Sequence, residues 1–267
     1  MKSFFKKTPK LGQHLLTSRD IARRVVEAGE VAHGDVVLEI GPGKGMLTKE
    51  LLAVGARVIA VEKDPEMISV LNETFRDEQL HKILTLYEGD ARNFLTSETF
   101  SQHVTPPYRI VANIPYYITG ELLRLFLTAP IQPQSIALLV QKEVAERITR
   151  SKKESILSLS VKAYGTPLYI RTVRAGSFNP PPNVDSAILA ISHISRDNFT
   201  GISEKKFFEL LHVGFGQKRK TLRGNLKRGL GFSEEHLEQV WAETSLDAKV
   251  RAEDLPLNTW LTLSKKL

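Results

Sequence analysis

Short apolar runs alternate with stretches of helical spacing over the first two thirds of the chain. Val36-Val37-Leu38-Glu39-Ile40 ends in glycines, the pattern of a buried strand. Residues 46–54 have helical spacing and stop at Gly55. Arg57-Val58-Ile59-Ala60-Val61 predicts a second strand, closed by Glu62-Lys63-Asp64-Pro65, with a helix over 66–75. Further strands are expected at Ile83-Leu84-Thr85-Leu86-Tyr87, at Tyr108-Arg109-Ile110-Val111-Ala112 and over 135–140, the last running into a helix through Ile148. Two later runs, 167–173 and 186–194, have no strong helix between them and read as an antiparallel pair at a sheet edge. After Arg196 the pattern becomes helical, at 205–213, 222–230, 234–242 and 260–263.

Alternating strands and helices with near-continuous apolar strands predict an α/β fold. The sheet is expected to be Rossmann-like and mostly parallel, with an antiparallel edge. A small C-terminal helical domain is expected to follow, with domains over 1–195 and 196–267 joined near 195–201. In such sheets ligands bind beyond the carboxyl ends of the strands, near the reversal of strand order. Gly41, Glu62, Asp90 and Asn113 each follow a different predicted strand, so the pattern places them on one rim.

The chain has 267 residues, enough for a large domain and a small one. With no cysteine, a disulfide framework, a thiolate metal site and a catalytic thiol are all excluded. The basic start, Met1-Lys2-Ser3-Phe4-Phe5-Lys6-Lys7, leads into no apolar stretch of signal-peptide kind, and no apolar run approaches membrane-spanning length. A cytoplasmic protein is the expectation. The net charge of +7 is concentrated: between Glu204 and Leu230 eight basic residues and two acidic ones give +6. Lys2, Lys6, Lys7 and Lys10 form a second basic patch. Concentrated positive charge favours a polyanion, because each neutralised phosphate releases counterions. A charge run alone is more often a solvated face.

Glu39-Ile40-Gly41-Pro42-Gly43-Lys44-Gly45 supplies the candidate cofactor loop. Glycines let the backbone approach a ligand and take positive φ. A dinucleotide loop would put its third glycine at position 46, which is Met. The glycines instead alternate at 41, 43 and 45, and Glu39 precedes them. A carboxylate there suits a cation better than a pyrophosphate, which points to S-adenosylmethionine. Glu62, 21 residues after Gly41, is placed to accept from both ribose hydroxyls. Asp90 is placed to accept from an adenine amino group. For each acid taken singly the competing role is a helix N-cap or a turn.

Asn113-Ile114-Pro115-Tyr116 is the candidate catalytic segment. An adenine N6 amine is a poor nucleophile because its lone pair is delocalised into the ring. Two acceptors that bind its two hydrogens favour a tetrahedral nitrogen. The Asn113 side-chain oxygen and the carbonyl of Ile114 or Pro115 are the candidates. Pro115 fixes the backbone, and Tyr116 offers a face to an unstacked base. Phe178, opening the stiff loop Phe178-Asn179-Pro180-Pro181-Pro182-Asn183-Val184-Asp185-Ser186, is a candidate second stacking surface. A core anchor is nearly as good a reading of it. No metal is required.

Gly12-Gln13-His14-Leu15-Leu16, the glycine loop, the Asn113 segment, the Phe178 loop and the basic run Gln217-Lys218-Arg219-Lys220-Thr221-Leu222-Arg223 together resemble the ribosomal RNA adenine dimethyltransferases. The resemblance spans nearly the whole chain, is greatest to the small-subunit branch, and implies that the Rossmann-like sheet is of the class I methyltransferase kind. It implies transfer of two methyls to N6 of each of two adjacent adenosines near the 3′ end of small-subunit rRNA. It further implies a monomer that acts on a pre-mature small ribosomal subunit, away from membranes. Large-subunit enzymes of the macrolide-resistance kind are the nearest alternative, and an rRNA-binding assembly factor is the non-enzymatic one. The family's cofactor contacts fall on His14, Leu16, Gly41, Glu62, Asp90 and Asn113. Gln13, Glu39, Gly43, Gly45, Lys63 and Ala91 complete the candidate cofactor set. Lys218, Arg219, Lys220 and Arg223 are the candidate RNA contacts. Position 14 is commonly Asn in the family and is His here; Leu15 replaces a usual Phe, and Tyr117 a frequent Asn.

Overall fold

The computed structural model describes residues 14–267. Two compact units are present: one comprises the described chain up to Ala145 together with Leu168–Ile194, the other Glu146–Pro167 and Ser195–Leu267.

The first unit is built on β2 (Val36–Ile40), β3 (Arg57–Glu62), β4 (Leu84–Glu88), β5 (Tyr108–Asn113), β6 (Ser135–Gln141), β7 (Thr166–Val173) and β9 (Ser186–Ser192). They form one sheet in the order β4-β3-β2-β5-β6-β9-β7. The first five run parallel, and β9 runs antiparallel to β6. β7 and β9 are therefore the expected edge. The apolar runs are inside: Val37, Leu38, Val58, Ala60, Ile110, Val111 and Leu138 are fully buried. The chain moves outward from β2 through β3 to β4, then returns to β5 on the other side of β2. That reversal opens a crevice between the carboxyl ends of β2 and β5.

Local chemistry sets the helices that flank this rim. Ser18 caps the helix Arg19–Ala28, and Asp64 caps Pro65–Thr74 with proline in its first turn. Gly45, at φ 80°, begins Met46–Ala53. Sequence spacing did not indicate a separate two-stranded ribbon, in which β1 (Leu15–Leu16) pairs antiparallel with β8 (Phe178–Asn179).

The second unit departs from the expected 196–267 by including Glu146–Pro167. Its helix Ile156–Tyr164, capped reciprocally by Ser155 and Ser158, buries Leu159, Val161, Ala163 and Tyr164. That helix packs on Glu204–Gly214 and Leu257–Lys266, which carry Phe207 and Trp260 into the core. Leu222–Leu230 and Glu234–Thr244 complete the unit.

Candidate active site

A cleft at the β2–β5 reversal has walls from each strand end expected there: Gly41 and Gly43 after β2, Glu62 and Lys63 at β3, Asp90 and Ala91 after β4, and Asn113 to Ile118 after β5. It holds about 840 Å³ of space, counting its open mouth. Gly41 and Gly43 have φ of 68° and 58°. A Cβ on Gly43 would stand 2.7 Å from the Leu15 side chain, so any larger residue narrows the cleft at its ribbon side.

Glu62 pins the glycine loop. One carboxylate oxygen accepts from the Gly43 N–H at 3.0 Å, and the other from Lys63 N–H at 2.8 Å and Asp64 N–H at 2.9 Å. A carboxylate offers about four acceptor sites, so about one remains for a ligand hydroxyl. Asp90 is more fully committed. It caps the helix Ala91–Leu95 through Arg92 N–H at 3.0 Å. It also accepts from Arg92 Nε at 2.8 Å, an Arg92 terminal nitrogen at 2.6 Å and Lys63 Nζ at 3.0 Å. The Arg92 guanidinium beside it holds its carboxyl well below the usual range. Adenine recognition through Asp90 therefore requires Arg92 or Lys63 to give way.

Asn113 is the last residue of β5 and donates from Nδ2 to the His14 carbonyl at 2.9 Å. That bond fixes the amide, and its Oδ1 has no partner among the described residues. Pro115 begins a tight turn in which Ile118 N–H donates to its carbonyl at 3.2 Å. Of the two carbonyls proposed as second acceptor, Ile114's is the free one among the described residues. The Tyr116 hydroxyl lies 2.6 Å from Ser186 Oγ, and its ring stacks with His14 at 5.8 Å between centroids. Burial raises the Tyr116 pKa, so it remains a neutral phenol. His14 in turn meets the Pro180 carbonyl through Nδ1 at 2.8 Å.

Several expected contacts lie elsewhere. Phe178 is 3% exposed and packs in the core cluster with Leu16, outside the cleft wall. The core-anchor reading describes it, because strand pairing with Leu16 turns it inward. Leu16 is likewise buried, and its neighbour Leu15 reaches the cleft instead. Gly45 meets no cleft. Its missing Cβ makes room for Phe75, whose ring would be 2.3 Å away. Gln13 lies outside the described residues. Arg92, Gly89, Tyr117 and Ile118 line the cleft without having been expected there.

Glu39 is fully buried and also outside the cleft wall. One carboxyl oxygen accepts from Thr48 Oγ1 at 2.7 Å, and the other has no partner among the described residues. Burial pushes its pKa up to about 8, Thr48 opposing and Glu62 adding to the rise. Between the ordinary carboxylate range and about 8, the folded chain keeps a proton that the unfolded chain has released. The group therefore lowers stability as pH rises through that window. Glu39→Gln is expected to remove a slope of about 1 kcal/mol per pH unit there. Denaturant unfolding at several pH values reads this, and an identical slope in the variant would assign the titration to another group.

In the second unit, Lys218, Arg219 and Lys220 are exposed in the turn after Glu204–Gly214 and have no ion-pair partner among the described residues. Arg223 differs from them: it pairs with Glu234 and, at 2.9 Å, with Glu238, and its side chain is 19% exposed. Two carboxylates already neutralise it, which sets it apart from the phosphate contacts expected of this run. Lys218 and Lys220 instead share a cleft with Arg147, Lys153 and Arg251, three cations outside the basic run that sequence spacing singled out.

Comparison with known proteins bears on this arrangement. The family model described as ribosomal RNA adenine dimethylase matches residues 4–267. The chain belongs to the ribosomal RNA adenine dimethylase family. Among the dimethylase relatives, ribosomal RNA small subunit methyltransferase A of Dehalococcoides mccartyi is 40% identical over 254 residues, covering 95% of this chain and 86% of that protein. The protein of the same name from Clostridium botulinum is 33% identical, covering 97% and 94%. The crystal structure of a dimethyladenosine transferase from Plasmodium falciparum matches with a TM-score of 0.75 at 28% identity, covering 94% and 96%. The expected Rossmann-like methyltransferase fold is therefore the fold of this dimethylase.

The cleft's donor set fits the cofactor expected of the family. Its two wall cations, Lys63 and Arg92, are both paired with Asp90, which leaves neither free to neutralise a diphosphate. A carboxylate-lined cleft in which the wall cations among the described residues are already paired suits a sulfonium and an ammonium group.

Proposed function

We propose that this chain transfers methyl groups from S-adenosylmethionine to N6 of two adjacent adenosines near the 3′ end of small-subunit rRNA. The carrying observation is Asn113, held by its Nδ2 with Oδ1 free, in the same cleft as Gly41, Gly43 and Glu62. Family membership supports the same activity. S-adenosylmethionine, when bound, supplies a methyl group activated by its sulfonium.

The chain's own residues position and polarise. Gly41 and Gly43 let the cofactor approach the backbone, Glu62 offers its remaining acceptor site to a ribose hydroxyl, and Asp90 lies at the adenine end. His14 and Ala91 flank them, with Leu15 from the ribbon. Asn113 Oδ1 and the Ile114 carbonyl accept from the two N6 hydrogens and draw the nitrogen toward a tetrahedral shape. With the cofactor bound, the N6 lone pair would take the methyl carbon as the carbon–sulfur bond breaks, sulfur keeping that electron pair as a neutral thioether, and an N6 proton would pass to solvent. Tyr116, held by Ser186, stacks against the base. No covalent enzyme intermediate is needed, since orientation and fixed dipoles supply the acceleration.

The first unit is the methyltransferase domain in this reading, and the second binds rRNA. The substrate is a pre-mature small subunit in the cytoplasm, and the enzyme acts as a monomer. Mapping labelled methyl incorporation into undermethylated small subunits tests the activity. Label on N6 of two adjacent adenosines is the expected result, and label absent from adenine N6 overturns it.

Lys218, Arg219 and Lys220 contact phosphates. Neutralising Lys218 and Lys220 together is expected to flatten the salt dependence of RNA binding by about 0.7–0.9 log units per contact. Cofactor affinity should hold. Binding isotherms across a salt series read the slope, and an unaltered slope would make the run a solvated face.

A further inference from the structure

Tyr117 stands apart within the cleft. It lines the same wall as Asn113 and Tyr116, yet it is 69% exposed. Among the described residues its hydroxyl and ring have no hydrogen-bond or ring partner. Tyr116 beside it is the reverse, with its hydroxyl on Ser186 and its ring on His14. Both belong to the turn Tyr116–Ile118, whose three-residue period sets successive side chains about 120° apart. One ring is thereby fixed in the wall while the next stands at the mouth.

A single exposed aromatic is ordinary on a protein surface. At the mouth of a base-binding cleft its position has a consequence. A strand that delivers one base to Tyr116 must carry the adjoining nucleotide past Tyr117. Every base has a π face, so an exposed ring accepts whichever base arrives. We propose that Tyr117 is the stacking platform for the nucleotide next to the adenine being methylated. The proposal rests on the function stated above and adds a residue for it. The platform's tolerance of base identity suits a substrate in which two neighbouring adenosines take turns in one cleft.

The test uses the full chain and an rRNA hairpin with 2-aminopurine in place of the nucleotide beside the target adenosine. Stacking quenches 2-aminopurine fluorescence. The wild type and Tyr117→Phe are expected to quench it, and Tyr117→Ala is expected not to. Tyr117→Ala should also raise the KM for RNA by about tenfold, a value at the lower end of base–aromatic stacking. Its kcat should stay within about twofold, because Asn113 and Tyr116 remain, and Tyr117→Phe should restore KM. An unchanged KM and full quenching in Tyr117→Ala overturn the platform. So does weaker cofactor binding with RNA KM unchanged, since Tyr117 would then serve the cofactor. Absence of methyl transfer by the wild type strikes instead at the proposed function, and is distinguishable because quenching is read without turnover.

Discussion

Asn113→Ala is expected to slow single-turnover methyl transfer by about 10²–10³-fold, comparable to removal of one oxyanion-hole donor. The contact strengthens as N6 becomes tetrahedral, so its loss falls on the transition state more than on the ground state. RNA affinity should change little, because phosphate contacts supply most of it. The structure adds a reason to control for the cofactor: the same side chain holds the His14 carbonyl, and His14 lines the cleft. Rapid-quench assays at saturating S-adenosylmethionine separate the two effects. A folded Asn113→Ala protein with near wild-type rate would remove the catalytic role from this segment.

Glu62→Ala is expected to weaken S-adenosylmethionine binding by roughly 10–150-fold, the loss of charge-assisted hydrogen bonding worth about 1.5–3 kcal/mol. Part of that comes from the protein itself, because the N–H groups of Gly43, Lys63 and Asp64 lose their acceptor. Glu62→Gln distinguishes the contributions. It keeps one carbonyl oxygen for Lys63 and Asp64 but presents an amide to Gly43, so it should lose affinity while unfolding nearer the wild-type temperature than Glu62→Ala does. Calorimetry that finds wild-type affinity in folded Glu62→Gln would take Glu62 out of the cofactor site.

The parallel sheet was legible because each strand is a short apolar run ending in a polar or glycine residue. Those run ends are the positions that converge, Gly41, Glu62, Asp90 and Asn113. What the sequence did not convey was the direction in which individual side chains face. Glu39 and Gly45 belong to the loop's sequence pattern, but one is buried under it and the other makes room for Phe75. A strand of two residues has no periodicity to read, so nothing local separated Leu15, in the cleft, from Leu16, in the core. The pairing of Leu16 with Phe178 spans most of the first unit and leaves no local trace. Arg223 shows the same limit. The spacing of Glu234 and Glu238 puts both on one face of a helix, but only the fold brings that face to Arg223.

The β1–β8 ribbon has a consequence for biosynthesis. His14 and Leu15 are among the first described residues to leave the ribosome, but their partners Pro180 and Asn179 are made about 165 residues later. At roughly 5–20 residues per second that wait is on the order of ten to thirty seconds. For that time the ribbon wall of the cleft lacks its partner strand, and Tyr116 lacks Ser186. A nascent chain released early would carry the glycine loop and Asn113 in an unfinished pocket. The capacity to bind cofactor should therefore arise late in translation, once residue 186 has emerged.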